Sequence, residues 1–507
     1  MGNTGINNKR IAKNTLMLYV RMILTMAVSL YTSRVVLAAL GVQDYGLYNV
    51  VGGVVTAFSF LKTSLAGAIS RYINVTMGKG DLLQLRKVFS MGVQVQYVLS
   101  FVIILIAETI GLWFLNAHMN IPESRIVAAN WVYQFSLLSI VISMISQPYT
   151  ADIVAHEKMS AFAYISIYDV IMQLVVVYFL RLAPFDKLIF YALLIVFVQI
   201  SVRLIYTFYC KRNFPETHYV LVKDKMLFKE MSSFAGWNLF GTLASLGATQ
   251  GINILLNIFF GPGVNAARAV AVKVQHVVQG FVQNFQMSVN PQLTQNYARG
   301  NISDVFTLIY RSSKFSFFLM LMIAIPLILE ADFVLSLWLK KVPEHSAAFL
   351  KIVMLVSLNL TLTNPLVVAN NAVGNIKRYQ MTVGGFLLLI VPITYVVLKL
   401  GGTPEDAFLV HLTISVLGLF VRLVLTRKRL GLSIWNYSKN VFLRIIPVAA
   451  FSLLLPCWIY FSTEVTVWSV LCVILSSVLS VSLAAFFWGL TNRERDFFVK
   501  KLLTVIR

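Results

Sequence analysis

The sequence predicts an all-α polytopic membrane protein of about fourteen transmembrane helices, arranged as two parallel-repeat six-helix bundles followed by two C-terminal helices. Three observations carry this. The 507 residues are 58% hydrophobic and 12% charged, with a mean hydropathy of +0.78. A water-soluble chain of this length cannot bury so much apolar surface, so its solvent is largely bilayer. Apolar runs able to cross a hydrocarbon layer of ~30 Å recur along the whole chain. Finally, landmarks of the first half reappear in the second at one constant offset.

The runs lie near 11–40, 45–73, 88–116, 126–152, 159–182, 187–210, 232–260 and 262–290, then near 312–338, 346–373, 379–400, 405–426, 440–461 and 465–490. The polar start "MGNTGINNKR" precedes an apolar stretch too long for a signal-peptide core, which predicts that the first segment stays in the membrane. Odd-numbered connections are short and poor in basic residues, as in "GVQDYG", "GPGV" and "GGTPED". Even-numbered ones carry "GKGDLLQLRK", "CKRNFPETHYVLVKDKMLFKE", "IKRY" and "TRKRLG". Lys9, Arg10 and Lys13 at one terminus and Arg493, Arg495, Lys500 and Lys501 at the other join the basic set. The positive-inside rule assigns that set, and both termini, to the cytoplasm. The net charge of +22 is then a topology signal and an attraction to anionic membrane lipids, with no nucleic acid implied. Lys340 and Lys341, in an outer loop, run against the pattern. The tail "RERDFFVKKLLTVIR" fits either an amphipathic helix on the inner membrane face or a solvated extension.

Leu40-Gly41 closes the first segment and Phe260-Gly261 the seventh, 220 residues on. "MGKGDLLQLRKVF" and "YARGNISDVFTLI" align at Gly80 and Gly300, again 220 apart. An offset of six crossings gives both copies the same orientation, so the repeat is parallel about an axis along the membrane normal. Two such bundles facing each other across a central cleft make an alternating-access architecture. The predicted organisation is 1–215 for the first bundle, 216–430 for the second, and 431–507 for segments 13 and 14 with the tail.

Several segments carry a polar face. Projected at ~100° per residue, Gln275, Gln279 and Gln286 of the eighth fall within roughly 20° of Arg268, with Gln283 and Asn265 about 60° away. The seventh places Asn238, Thr242, Ser245 and Thr249 on one side. Subtracting the offset maps the eighth-segment stripe onto Tyr48, Val55, Ser59, Thr63 and Ala66 of the second, whose Lys62 lies on the same side as most of them. The first carries Asn14, Arg21, Thr25, Ser29 and Thr32. Polar groups in a bilayer face a bundle interior or a wet cavity; interhelical hydrogen bonding is the structural alternative for any single Gln or Thr. Arg21 lies on its stripe, whereas Arg34 falls about 140° round the helix, so a straight helix cannot turn both into one cleft. Matched depth pairs Arg34 with Glu108, and Asp169 with Arg203. Lys273 points away from the stripe, towards snorkelling or a partner of its own. His276 reads as a helix-packing histidine before a proton relay, and Glu330 and Asp332 as solvated interfacial acids.

Cys210, Cys457 and Cys472 have no metal or redox spacing and read as small apolar fillers. The chain has no phosphate-binding Gly-x-x-x-x-Gly-Lys-Ser/Thr loop, no His-Glu-x-x-His and no Gly-x-Ser-x-Gly. Its short outer loops leave little room for a catalytic pocket. The expectation is a carrier, not an enzyme, with no cofactor and no metal.

"SRVVLAALGVQDYGLYNVVGGVV", the "GKGD…LRKVFS" loop and the 220-residue duplication resemble the multidrug/oligosaccharidyl-lipid/polysaccharide exporter superfamily, in particular its polysaccharide-biosynthesis branch. The resemblance implies a flippase for undecaprenyl-diphosphate-linked O-antigen or capsule repeat units, in the bacterial cytoplasmic (inner) membrane. A polysaccharide polymerase and glycosyltransferases would be its partners. It also implies a cationic cavity. Relatives that move the peptidoglycan lipid precursor carry arginines in helices 1, 2 and 8, where Arg34 or Arg21, Lys62 and Arg268 stand here. The match favours Arg34 and the helical projection favours Arg21. Lysine at 62 keeps the charge but loses bidentate phosphate geometry. The expected cavity residues are thus Arg21, Arg34, Lys62, Arg268, Gln275, Gln279, Asn238 and Thr242, with Glu108, Asp169 and His276 as candidates for ion coupling or gating. The rival is a proton- or sodium-coupled drug/cation antiporter of the same fold, which wants membrane-embedded carboxylates that segments 1, 2, 7 and 8 lack in their cores.

Overall fold

The computed structural model describes residues 7–56, 59–119, 121–180, 185–339, 341–492 and 494–496, without the side chains of 42, 54, 56, 59, 60, 63 and 118. The polar-face positions Ser59 and Thr63, Lys340 of the outer loop, and Arg493 with most of the tail therefore lie outside the described side chains. Within these limits the chain is helical and shows no strand.

Fourteen long helices follow one another: α1 (Asn8–Gly41), α2 (42–56, then Ser59–Lys79), α3 (Leu82–Ala117), α4 (Glu123–Ala155), α5 (Met159–Phe179), α6 (Lys187–Asn213), α7 (Lys225–Phe260), α8 (Pro262–Ala298), α9 (Ile302–Leu329), α10 (Ser346–Val373), α11 (Lys377–Lys399), α12 (Pro404–Leu430), α13 (Ile434–Ser462) and α14 (Val467–Gly489). Among the described residues, twelve are long and apolar enough to cross a membrane; α8 is not one of them. α8 carries Arg268, Lys273 and the Gln/Asn stripe, so its composition is diluted by polar groups while its helical form is kept.

The packing divides the chain into two compact units, Met1–Thr242 with Thr294–Gly300, and Leu243–Leu293 with Asn301–Arg507. The division runs through α7 and near the end of α8, whereas the sequence repeat breaks near 215. In the first unit α1 packs on α4 and α5, α6 on α4 and α5, and α2 on α3 and the last turns of α4. In the second, α10 packs on α9 and α12, and α11 on α12, while α13 and α14 pair with each other and lean on α9.

The duplication is visible in the backbone. Gly41 and Gly261 both take φ of 81°, and Gly80 and Gly300 take 76° and 80°. These left-handed values suit residues without a Cβ. The connections that the positive-inside rule assigns to the outside repeat as well. Arg125, in the first turn of α4, bonds Asp186 at the start of α6; His345, 220 residues after Arg125, meets Glu405, 219 residues after Asp186, at 2.5 Å. Arg125 also grips Asp44 in the first turn of α2.

Helix ends follow local chemistry. Asp81 accepts from the Gln84 amide at 2.9 Å to start α3, and Asp186 accepts from Leu188 and Ile189 to start α6. A capping box of Thr403 and Asp406 with Pro404 opens α12, and Gly431 in a left-handed conformation closes it. In α3 a wide turn spans Ala107–Gly111, and the Ala107 carbonyl accepts from both the Leu112 amide and the Tyr133 hydroxyl, the latter at 2.7 Å. A Cβ on Gly111 would sit 2.1 Å from that hydroxyl.

Lys314 of α9 is 2% exposed, and Glu494, just beyond α14, binds it at 2.7 Å and Arg311 at 3.1 Å. Glu330, expected to be solvated, is instead buried where α9 gives way to the short helix Ala331–Trp338.

Two predictions follow from these features. Gly41→Ala and Gly261→Ala should each cost about 1–2 kcal/mol, while Gly263→Ala, helical and with open space around it, should cost nothing; thermal unfolding in one fixed detergent checks this. Burial pushes the Glu494 carboxyl up, but Lys314 and the Thr491 amide together hold it below its ordinary value of 4.5. Its contribution to stability is therefore fully present above that pH and lost as pH falls through the lower folded value. Glu494→Ala, which strands a buried lysine, should destabilise by about 3–5 kcal/mol and flatten the acid limb of a stability–pH profile.

Candidate functional site

Within the first unit the basic groups of α1 and α2 have different fates. Arg21 is half-buried with its guanidinium 4.8 Å from the Phe162 ring of α5. Arg34 is exposed. The helical projection thus places Arg21, and not Arg34, against the interior of its own bundle. Lys62 donates to the Ser143 hydroxyl of α4 and has no carboxylate at ion-pair distance among the described residues; Asp169 acts on it from farther away.

The pairs expected from matched depth do not form. Glu108, inside the wide turn of α3, accepts from Gln134 of α4 at 3.1 Å and makes no ion pair with Arg34. Asp169 accepts from Gln173 at 3.0 Å and Gln199 at 3.4 Å. Arg203 instead lies over the Tyr149 ring, 4.2 Å from its centroid. Depth alone fixes height along the membrane normal, not azimuth, and here the azimuth favours amides and aromatic faces.

Asn238 of α7 donates to the Ser64 carbonyl of α2 at 2.9 Å, and Ser64 returns a bond to the Ala235 carbonyl at 3.0 Å. Gly67 makes room for this crossing, since a Cβ there would meet the Asn238 amide at 2.9 Å. Thr242 bonds back to the Asn238 carbonyl within its helix.

In the second unit, Arg268 of α8 reaches α7 through neutral acceptors alone. Nη2 donates to the Thr249 carbonyl at 2.9 Å and Nη1 to the Asn253 side-chain oxygen at 3.3 Å, while buried Nε has no hydrogen-bond partner. No carboxylate lies at ion-pair distance among the described residues. Asn265 braces Asn253 from one turn earlier on α8. His411 of α12, which the sequence reading did not single out, lies within electrostatic reach of Arg268.

Below Arg268 the stripe turns to α10. Gln275 and Gln279 both donate to the Ser357 hydroxyl, at 3.0 and 3.2 Å. Gln286 donates to Ser316 at 3.0 Å and accepts from Asn364 at 3.2 Å. Gln279, Gln283, Ser357, Thr361 and Asn364 also line a polar cavity of about 130 Å³. The stripe therefore combines helix packing with a small wet space. His276 is exposed, where a packing histidine was expected, and Lys273 finds the Trp338 ring at 5.5 Å.

The buried or half-buried cations that the sequence did not mark include Arg71 against Tyr72 and Phe234, Lys314, and Arg422 of α12. Lys314 finds its acid 180 residues away, so no local pattern announces it.

Residues 11–297, more than half of the chain, match the family model described as polysaccharide biosynthesis protein. No curated protein matches the sequence. Among solved structures, an outward-facing multidrug resistance MATE family transporter of the MOP superfamily superposes with a TM-score of 0.72 at 13% identity, over 83% of this chain and 96% of that one. A MATE structure in the bent conformation gives 0.72 at 13%, over 87% and 99%. The MATE transporter ClbM in complex with Rb+ gives 0.66 at 15%, over 85% and 97%. At these identities the likeness is one of fold. By the extent of its family match, the chain belongs to the polysaccharide biosynthesis protein family, within the multidrug/oligosaccharidyl-lipid/polysaccharide exporter superfamily.

Proposed function

We propose that this exporter is an alternating-access flippase that carries undecaprenyl-diphosphate-linked oligosaccharide repeat units, of O-antigen or capsule type, from the inner to the outer leaflet of the bacterial cytoplasmic membrane. The observation that carries the reading is Arg268, a permanently charged group in α8 held only by neutral oxygens. A charge within the spans costs several kcal/mol unless it is paired, and Arg268 has no acid of its own among the described residues. A diphosphate supplies the missing partner through charge-assisted hydrogen bonds, with the guanidinium fork matching its oxygens. Lys62 adds a second cation on a neutral hydroxyl. Gln, Asn, Ser and Thr groups replace the water that a sugar chain loses, while the prenyl tail stays in lipid.

Asp169 supports a second reading, a proton- or sodium-coupled drug/cation antiporter. It is a half-buried carboxylate in α5 whose hydrogen-bond donors are amides, so it is free to exchange a small cation. The positive character of Arg268 and Lys62 weighs against a site for cationic drugs, and in the flippase reading Asp169 is the candidate for ion coupling.

Replacing Arg268 or Lys62 with Ala should leave lipid-linked repeat units facing the cytoplasm and deplete surface polysaccharide, read by accessibility of the glycan in spheroplasts. Normal surface polysaccharide with both variants at wild-type abundance contradicts the flippase. Loss of drug efflux in Asp169→Asn with surface polysaccharide intact would favour the antiporter.

A further inference from the structure

At the end of α4 that the positive-inside rule assigns to the cytoplasm, three potential metal ligands converge. Asp152 is on the last turn of α4, His156 in the turn that follows, and Glu216 in the turn between α6 and α7. One ligand atom from each lies within 4.8 Å of the others. Asp152 is 0% exposed, and neither of its carboxylate oxygens has a hydrogen-bond partner. Glu216 is 2% exposed, and its Oε1 lies 2.6 Å from His156 Nε2.

Two buried carboxylates side by side, one without any donor, are costly unless a cation joins them. The neighbouring basic groups are committed elsewhere. Arg10 of α1 reaches the His156 carbonyl and pairs with Glu157 at 3.2 Å, and Arg203 lies on the Tyr149 ring. No ion pair reaches Asp152 among the described residues. Nor does the fold demand these acids. At the 220-residue offset the second copy carries Ala372, Ile376 and Asn436, with neither carboxylate nor imidazole.

We propose that Asp152, His156 and Glu216 bind a divalent transition-metal ion of the zinc or manganese class, tying the turn after α4 to the turn after α6. A mixed nitrogen and oxygen set favours such ions over magnesium or calcium, which prefer oxygen throughout. Ligand bonds of about 2.1 Å require the widest-spaced atoms to close by about 1 Å. The ion takes the place of the proton shared by His156 and Glu216 and gives Asp152 the partner it lacks. His156, with 28% of its side chain exposed and its ring stacked on Phe214, provides the access. Because Arg10 and the Gln295 amide hold the same turn, through His156 and Ala155 carbonyls, bound metal would also stiffen the anchoring of α1 and of the end of α8. This site lies apart from Arg268 and Lys62 and does not depend on the transport reading.

The test uses the full-length, tag-free protein in detergent, stripped with a chelator and titrated with Co2+, then with Zn2+ in competition. One equivalent of cobalt should bind with visible d–d bands, zinc should displace it, and the unfolding midpoint should rise with either ion. Asp152→Asn and His156→Gln should each weaken cobalt binding at least tenfold. His156→Gln, at a partly exposed position, remains informative if Asp152→Asn does not fold. Absence of cobalt bands and of any midpoint shift in the wild type overturns the site, as does equal binding by the wild type and His156→Gln.

Discussion

Arg268 is the constraint around which the rest of the second unit is arranged. It cannot lose its proton, it lies within a helix packed among apolar segments, and the oxygens that hold it are uncharged. Its neighbours read as accommodations to that fact. Asn253 accepts from it, Asn265 fixes Asn253, and the Thr249 carbonyl accepts a further bond from it. The first unit carries a weaker version in Lys62, whose donated bond also ends on a hydroxyl. Cations elsewhere in the chain are treated differently: Lys314 has its own carboxylate, and Arg21 and Arg203 lie on aromatic rings. In the proposed flippase Arg268 and Lys62 meet the anionic headgroup.

The duplication explains where the structure spends its special backbone. Left-handed glycines recur at matching positions, and a basic residue at the start of the fourth helix of each copy grips an acid at the start of the sixth. The copies have diverged in chemistry. One uses arginine with two aspartates, the other a histidine with a single glutamate, and the buried acids after α4 have no counterpart in the second copy.

Much of this was legible in the sequence, and the reason is the bilayer. Backbone groups inside hydrocarbon must be satisfied within the segment, so long apolar runs have little choice but to be helices. The helices, their order and the offset of 220 could be read for that reason, including α8, which composition alone passes over. The face of a helix was legible where one residue dominated, as for Arg21 and Arg268. Partners were not. Glu108 takes Gln134, and Asp169 takes two glutamines, because partner choice depends on azimuth and on helices distant in sequence. The stripe of α8 was correctly read as polar, but its use by Ser357, Ser316 and Asn364 required knowing which face of α10 and α9 it meets. Lys314 and the cluster at Asp152 join residues far apart in the chain, where no periodicity reaches.

The central claim is that Arg268 is kept unpaired for a diphosphate. The most direct measurement is binding of undecaprenyl diphosphate and of undecaprenol to the purified protein in nanodiscs, for wild type and Arg268→Ala. The account predicts that the wild type prefers the diphosphate and that the variant loses most of that preference while binding the alcohol as before. Equal preference in the two proteins, or none in the wild type, would contradict it.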